Sequence, residues 1–173
     1  MELKLRYIFV LVIIISSSEI YSCKPIVKPV TTQPDLPEGF FLTWEGEFNE
    51  DWKPNNEFWS YEKGFTRNKE LQWYQEDNAT IKEGILVIEG RREKVKNDEY
   101  EPESSDWKRN REYAEYSSSS INTRGKKKFL YEIIEVSAKI DTAKGMWPAI
   151  WAFGVSKGWP ANGEIDIMEY NRV

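Results

Sequence analysis

The order of apolar and polar residues along the chain is that of a β-protein. No long run carries apolar residues at helical spacing, whereas short β-rich runs bounded by turn residues recur. Ala79–Ile81 and Ile85–Ile88 are two such runs, and Glu83-Gly84 between them predicts a hairpin. From Phe129 to Ile140 the pattern alternates in part. Ile134, Val136, Ala138 and Ile140 fall on one face and Glu135, Ser137 and Lys139 on the other, as in a half-buried strand. Met146–Phe153 is apolar and aromatic, interrupted by Pro148, and Ile165–Tyr170 is the last strand candidate. Several short strands separated by turns predict an all-β fold, an antiparallel sandwich or jelly roll. Glu93–Glu112 breaks the pattern: it is highly charged, with almost no apolar residues, and predicts a solvated loop.

The first residues follow a different logic. Lys4 and Arg6 precede an unbroken apolar run, Tyr7–Ile15, which is too short to span a bilayer as a mature helix and predicts an export signal over residues 1–22. Cys23, the only cysteine, has no internal disulfide partner. Its place just after that run resembles a bacterial lipoprotein box, which implies lipidation at Cys23 and an outer-membrane lipoprotein. An ordinary cleaved signal and a secreted protein are the alternative. Lys24–Pro37 carries four of the eight prolines, so residues 23–37 are expected to be a lipidated tether, with one folded domain over 38–173.

Composition narrows the chemistry. The formal net charge is −5, and no basic stripe marks a nucleic-acid partner. With no histidine in the chain, Ser-His-Asp catalysis and histidine metal sites are excluded. Aromatic residues make up 14%, which suits either an aromatic β-core or a cleft in which rings stack on pyranose faces. Asn78-Ala79-Thr80 matches a glycosylation sequon and is read as chance.

Three acidic residues, Glu164, Asp166 and Glu169, lie within six positions. On a strand, Glu164 and Asp166 share a face, and Glu169 falls on the other. One β-bulge between Asp166 and Glu169 returns Glu169 to the shared face. Carboxylates gathered in this way repel one another, so the arrangement calls for a purpose. Retaining glycoside hydrolysis supplies one, with one carboxylate as nucleophile and one carboxyl as general acid. Asp166, between them, can hydrogen-bond to Glu164. The bland alternative is a solvated acidic edge strand, against which stand the apolar Ile165, Ile167 and Met168 and the nearby Trp147, Trp151 and Trp159.

The stretch Gly145–Gly154, GMWPAIWAFG, followed by Gly158–Tyr170, GWPANGEIDIMEY, resembles glycoside hydrolase family 16 in its laminarinase-like branch. RNKELQWY (Arg67–Tyr74), ILVIEGRRE (Ile85–Glu93) and Ser119–Asp141 resemble upstream strands of that family. The resemblance runs from about Phe40 to the end and implies a concanavalin-like β-jelly-roll sandwich, incomplete at the C-terminus. The implied activity is endo-acting, retaining cleavage of β-1,3 or mixed β-1,3/1,4 glucan by a monomeric enzyme that requires no cofactor. Glu164 would be the nucleophile, Asp166 its assistant and Glu169 the acid/base. Trp147, Trp151, Trp159 and Asn68 would bind substrate, and Glu47 matches a carboxylate that in some relatives helps hold a structural calcium. The chain departs from the family at Glu132-Ile133, where Gly-Arg is usual, and at Ser137 and Ser120, where arginine is common. A catalytically silent glucan-binding protein and a galactan hydrolase are the competing readings.

Overall fold

The structure is a computed structural model that describes residues 36–46, 48–49 and 52–171. Cys23, Glu47 and residues 1–35 lie outside these, and with them the signal, lipidation and calcium expectations.

The described residues form ten short strands: β1 (Ser60–Tyr61), β2 (Gln72–Tyr74), β3 (Ala79–Lys82), β4 (Ile85–Ile88), β5 (Val95–Lys96), β6 (Tyr113–Ala114), β7 (Tyr116–Ser118), β8 (Ile121–Asn122), β9 (Ala149–Phe153) and β10 (Glu164–Glu169). The only helical element among the described residues is a 3-10 turn at Glu76–Asn78. Antiparallel pairing joins β1 to β8, β3 to β4, β5 to β6 and β9 to β10, whereas β2 and β7 run parallel. Single bridges connect Trp52 to Ile81, Arg91 to Ser117 and Gly64 to Tyr74. The Arg91–Ser117 bridge joins the segment just past β4 to β7, which pairs with β2.

The expected hairpin is β3–β4. Glu83 and Gly84 both take positive φ, +53° and +74°, the mirror-image turn whose twist matches that of the flanking strands. Phe65, Trp73 and Ala114 form the buried core, with Val95 and Trp107 packed against it. Phe65 meets Trp73 edge to face at 5.4 Å, and the Arg111 guanidinium lies 3.6 Å from the Phe65 centroid. A second aromatic group gathers Phe58, Trp59 and Phe129 around Trp44. Much of the aromatic content is therefore structural.

One expectation is corrected. No strand forms across 129–140, although its residues alternate as a strand's would. A strand needs a hydrogen-bonded neighbour, and no β-ladder partner is found among the described residues; Tyr131, Ile133 and Val136 are exposed there. Glu93–Glu112 is a loop with most of its residues exposed, as expected, and it is anchored as well. The β5–β6 pair closes its ends. The buried Asn97 amide donates to the carbonyls of Lys108 at 2.8 Å and Arg111 at 2.9 Å, and Trp107 packs on the core. A few long-range contacts thus fix the loop while most of its charged residues stay in solvent.

Asn78 is fully buried where β3, β4 and β7 converge. Its side-chain nitrogen donates to the Glu89 carbonyl at 2.8 Å and to Ser117 Oγ at 2.9 Å, and its oxygen accepts from Gln75 Nε2 at 2.8 Å. Ser117 Oγ in turn donates to Glu93. An amide so engaged is not available as a sugar acceptor, which gives the sequon a structural explanation. Removing it strands buried donors and acceptors on three elements. Asn78→Ala is expected to destabilise the fold by about 2–4 kcal/mol, read as a lower midpoint in chemical denaturation. A midpoint equal to that of the unsubstituted protein would contradict this network's role.

Candidate active site

The site is built on the β9–β10 pair. Glu164 lies opposite Phe153, Ile165 opposite Ala152, Asp166 opposite Trp151, Met168 opposite Ile150 and Glu169 opposite Ala149. The register shifts between Asp166 and Met168, so Ile167 is the extra residue of a β-bulge. Facing residues of an antiparallel pair project to the same side. One face thus carries Glu164, Asp166 and Glu169 with Phe153, Trp151 and Ala149. The other carries Ile165, Ala152, Met168 and Ile150. All three carboxylates are exposed on their face.

Local chemistry shapes the pair at both ends. Pro148, which has no N–H to give a ladder, stands just before β9, and its carbonyl accepts from Tyr170 N at 3.0 Å beyond β10. At the other end, Gly163 N donates to the Pro160 carbonyl at 3.1 Å, and Ser156 Oγ donates to Asn162 Oδ1 at 2.9 Å. A Cβ on Gly154 would collide with the Asn162 side chain and come within 2.7 Å of its backbone oxygen, so this turn requires glycine at 154.

The aromatic residues named from sequence occupy different environments. Trp147, 47% exposed, donates from Nε1 to Glu169 Oε1 at 2.8 Å. The small Ala149 opposite Glu169 leaves room for that indole. Trp159, 70% exposed, stands in the turn between β9 and β10. Trp151 is stacked on Phe153 at 5.3 Å, and the Arg67 guanidinium lies 5.4 Å from its ring centroid, so protein groups already engage its ring. Asn68 is exposed, in the left-handed region at φ +53°, with its amide 3.4 Å from Glu70 Oε1. It borders the carboxylate face through its neighbour Arg67.

Arg67, Arg124 and Phe153 were not singled out from sequence. Arg67 sits over both Tyr74 and Trp151 and is ion-paired with Glu62, whose same oxygen accepts from Ser120 Oγ at 2.6 Å. Where an arginine at 120 is common in the family, Ser120 binds Glu62 here and the guanidinium arrives from position 67. The other two departures, at Glu132-Ile133 and Ser137, fall on the exposed 130–139 segment. Beneath Arg67, burial and the adjacent Glu70 carboxylate push the Tyr74 hydroxyl up to about 12. It therefore stays a neutral donor to Glu70 Oε2, at 2.9 Å. The visible signal was Arg67's adjacency to Asn68 within RNKELQWY; nothing local marks Arg124. Among the described residues no group of three metal-ligating side chains gathers.

Comparison with known proteins places these features. Residues 59–172 match the family described as XgeA-like, catalytic GH16 domain. The chain is 36% identical over 140 residues to a beta-glucanase of Rhodothermus marinus, covering 75% of this chain and 43% of that protein. Its structure is similar, at a TM-score of 0.72 and 39% identity, to one described with the endo-acting O-glycanases that prominent members of the human gut microbiota express to initiate mucin breakdown. That likeness covers 78% of this chain and 49% of the other. It is also similar to the catalytic domain of an endo-1,3-beta-glucanase (laminarinase) from Thermotoga petrophila RKU-1, with a TM-score of 0.62, 35% identity and coverage of 75% and 50%. The chain thus spans about half the length of the relatives it matches. The chain is all-β, of the jelly-roll class of these neighbours although β2 and β7 pair in parallel, and it belongs to glycoside hydrolase family 16, among the XgeA-like catalytic domains.

Proposed function

We propose that this chain carries the catalytic carboxylates of an endo-acting, retaining β-glucan hydrolase. The observation behind this reading is the Ile167 bulge, which sets Glu164, Asp166 and Glu169 on one exposed face beside aromatic rings. Glu164 attacks the anomeric carbon while Glu169 gives a proton to the departing glycosidic oxygen. Water then attacks the glycosyl–enzyme ester, with Glu169 taking the water's proton, and the configuration is retained. Asp166, between the two and on the same side, orients Glu164.

The Trp147 indole gives Glu169 a defined orientation. It donates to Oε1, so the proton for the leaving group is carried on Oε2. Trp159 and the exposed part of Trp147 supply apolar surface for pyranose rings. Similarity to proteins described as an endo-1,3-beta-glucanase and a non-specific endo-beta-1,3(4)-glucanase supports β-1,3 or mixed-linkage glucan as the substrate of this chain.

A second reading has a specific observation behind it. The structure with the TM-score of 0.72 is described with O-glycanases acting on mucin. A mucin O-glycan is therefore the alternative substrate for the same carboxylates.

Reducing-sugar release from laminarin, mixed-linkage glucan and mucin O-glycans tests both readings. Glu164→Gln is expected to lower turnover by about a thousandfold or more. Cleavage of mucin glycans alone would select the second reading, and a Glu164→Gln protein as active as the parent would refute both. Trp147→Phe keeps a ring but loses the N–H. It is expected to lower kcat by about tenfold, the worth of one hydrogen bond to a charged group, with KM little changed. A rise in KM alone would make Trp147 a sugar platform and not a positioning residue.

A further inference from the structure

The carboxylate face holds a row of four side chains that glycoside hydrolysis as described above does not use in full. Arg67 lies over Trp151, Trp151 stacks on Phe153 with ring planes 24° apart, and the Arg124 guanidinium lies 4.9 Å from the Phe153 centroid. The row is fixed in register with the carboxylates, since Trp151 is opposite Asp166 and Phe153 opposite Glu164.

The two guanidinium groups differ in one respect. Arg67 is neutralised by Glu62, with the Ser120 hydroxyl on the same carboxylate oxygen. Arg124 is exposed and has no ion pair among the described residues. Its position is nevertheless set. Arg124 N donates to Asn122 Oδ1 at 3.1 Å, Gly125 takes φ +76°, and Lys127 N closes the turn on the Thr123 carbonyl at 3.0 Å. Lys126 Nζ pins the same turn to the carbonyls of Asn56 and Trp59. A cation with no ion-pair partner among the described residues, on a face with three carboxylates and held there by a tied turn and an aromatic ring, offers donors in a planar fork suited to an oxyanion.

We propose that Arg124 forms a subsite for an anionic substituent, a sulfate ester or a uronate carboxylate, on the sugar bound at the Glu164 end of the cleft. This rests on the saccharide-hydrolase reading of the β9–β10 face. A negatively charged sugar entering a site with three carboxylates is repelled unless a cation meets it, and at the Glu164 end Arg124 is that cation. The guanidinium lies by the Phe153 ring and makes no side-chain hydrogen bond among the described residues, which leaves its N–H groups for two oxygens of the substituent. The consequence is a substrate preference: anionic saccharides over their neutral counterparts, falling with added salt.

The test is binding to the Glu164→Gln protein, which leaves the saccharide intact, measured by calorimetry with matched sets of oligosaccharides. Each set is neutral, sulfated or uronate-bearing, on both glucan and galactan backbones. An anionic member is expected to bind about tenfold more tightly than its neutral counterpart. Adding Arg124→Gln should bring that ratio close to one, and Arg124→Lys, which keeps the charge but not the fork, should leave it between the two. Preference for sulfate or for uronate identifies the substituent. No anionic preference, or one that persists in Arg124→Gln, overturns the proposal. Turnover by the unsubstituted protein is a separate readout: its failure on every substrate would overturn the hydrolase reading, while an Arg124-dependent binding preference would still stand.

Discussion

The β-bulge at Ile167 is the constraint from which the rest of the site follows. A regular strand would send Glu169 to the side of Ile165 and Ile167 and bring Met168 to the side of Glu164 and Asp166, mixing carboxylate and apolar side chains on both faces. One unpaired residue reverses that outcome and keeps both faces chemically uniform. The ladder around the bulge is secured at each end, by the Tyr170 N–H on the Pro148 carbonyl and by the turn packed onto Gly154. Ala149, small and opposite Glu169, then admits the Trp147 indole. Bulge, small residue and indole act as one unit, in which backbone register fixes the side-chain geometry.

The face is electrostatically mixed. Three carboxylates line one strand, while an aromatic pair capped by two arginines lines the other. Arginine on an aromatic ring keeps its in-plane donors free, so the row adds positive charge without consuming the hydrogen-bonding capacity of the face. Behind it, Tyr74, Gln72 and Glu70 form a bonded set beneath Arg67, and the buried amide of Asn78 ties β3, β4 and β7 together. The first set is local in sequence, whereas the Asn78 amide reaches Glu89 and Ser117, 11 and 39 residues away, and so gives short strands a shared framework.

What could be read from the sequence was what local pattern encodes. The β3–β4 hairpin was legible because Glu83-Gly84 suits two positive φ values, and the bulge because three carboxylates at this spacing share a face in no other way. The start of β9 was marked by Pro148. Contacts between distant residues left no such trace. Trp107 inside a charged segment gave no sign that it would pack on Phe65, and alternation across 129–140 gave no information on whether a neighbouring strand would pair with it. The parallel pairing of β2 with β7 joins residues more than forty positions apart. Arg124 lay in a basic run, SINTRGKKK, that reads as an ordinary solvated surface; only its placement over Phe153 distinguishes it.

The central claim is that the bulged face presents Glu164 as a nucleophile to the anomeric carbon. It is tested most directly by trapping the intermediate. The protein is incubated with a fluorinated glycosyl donor that forms the covalent ester quickly and loses it slowly, and the peptide containing Gly163–Tyr170 is then sequenced by mass spectrometry. The account predicts one glycosyl adduct, on Glu164. An adduct on Glu169 or Asp166, or a protein that turns over substrate with inversion and no adduct, would contradict it.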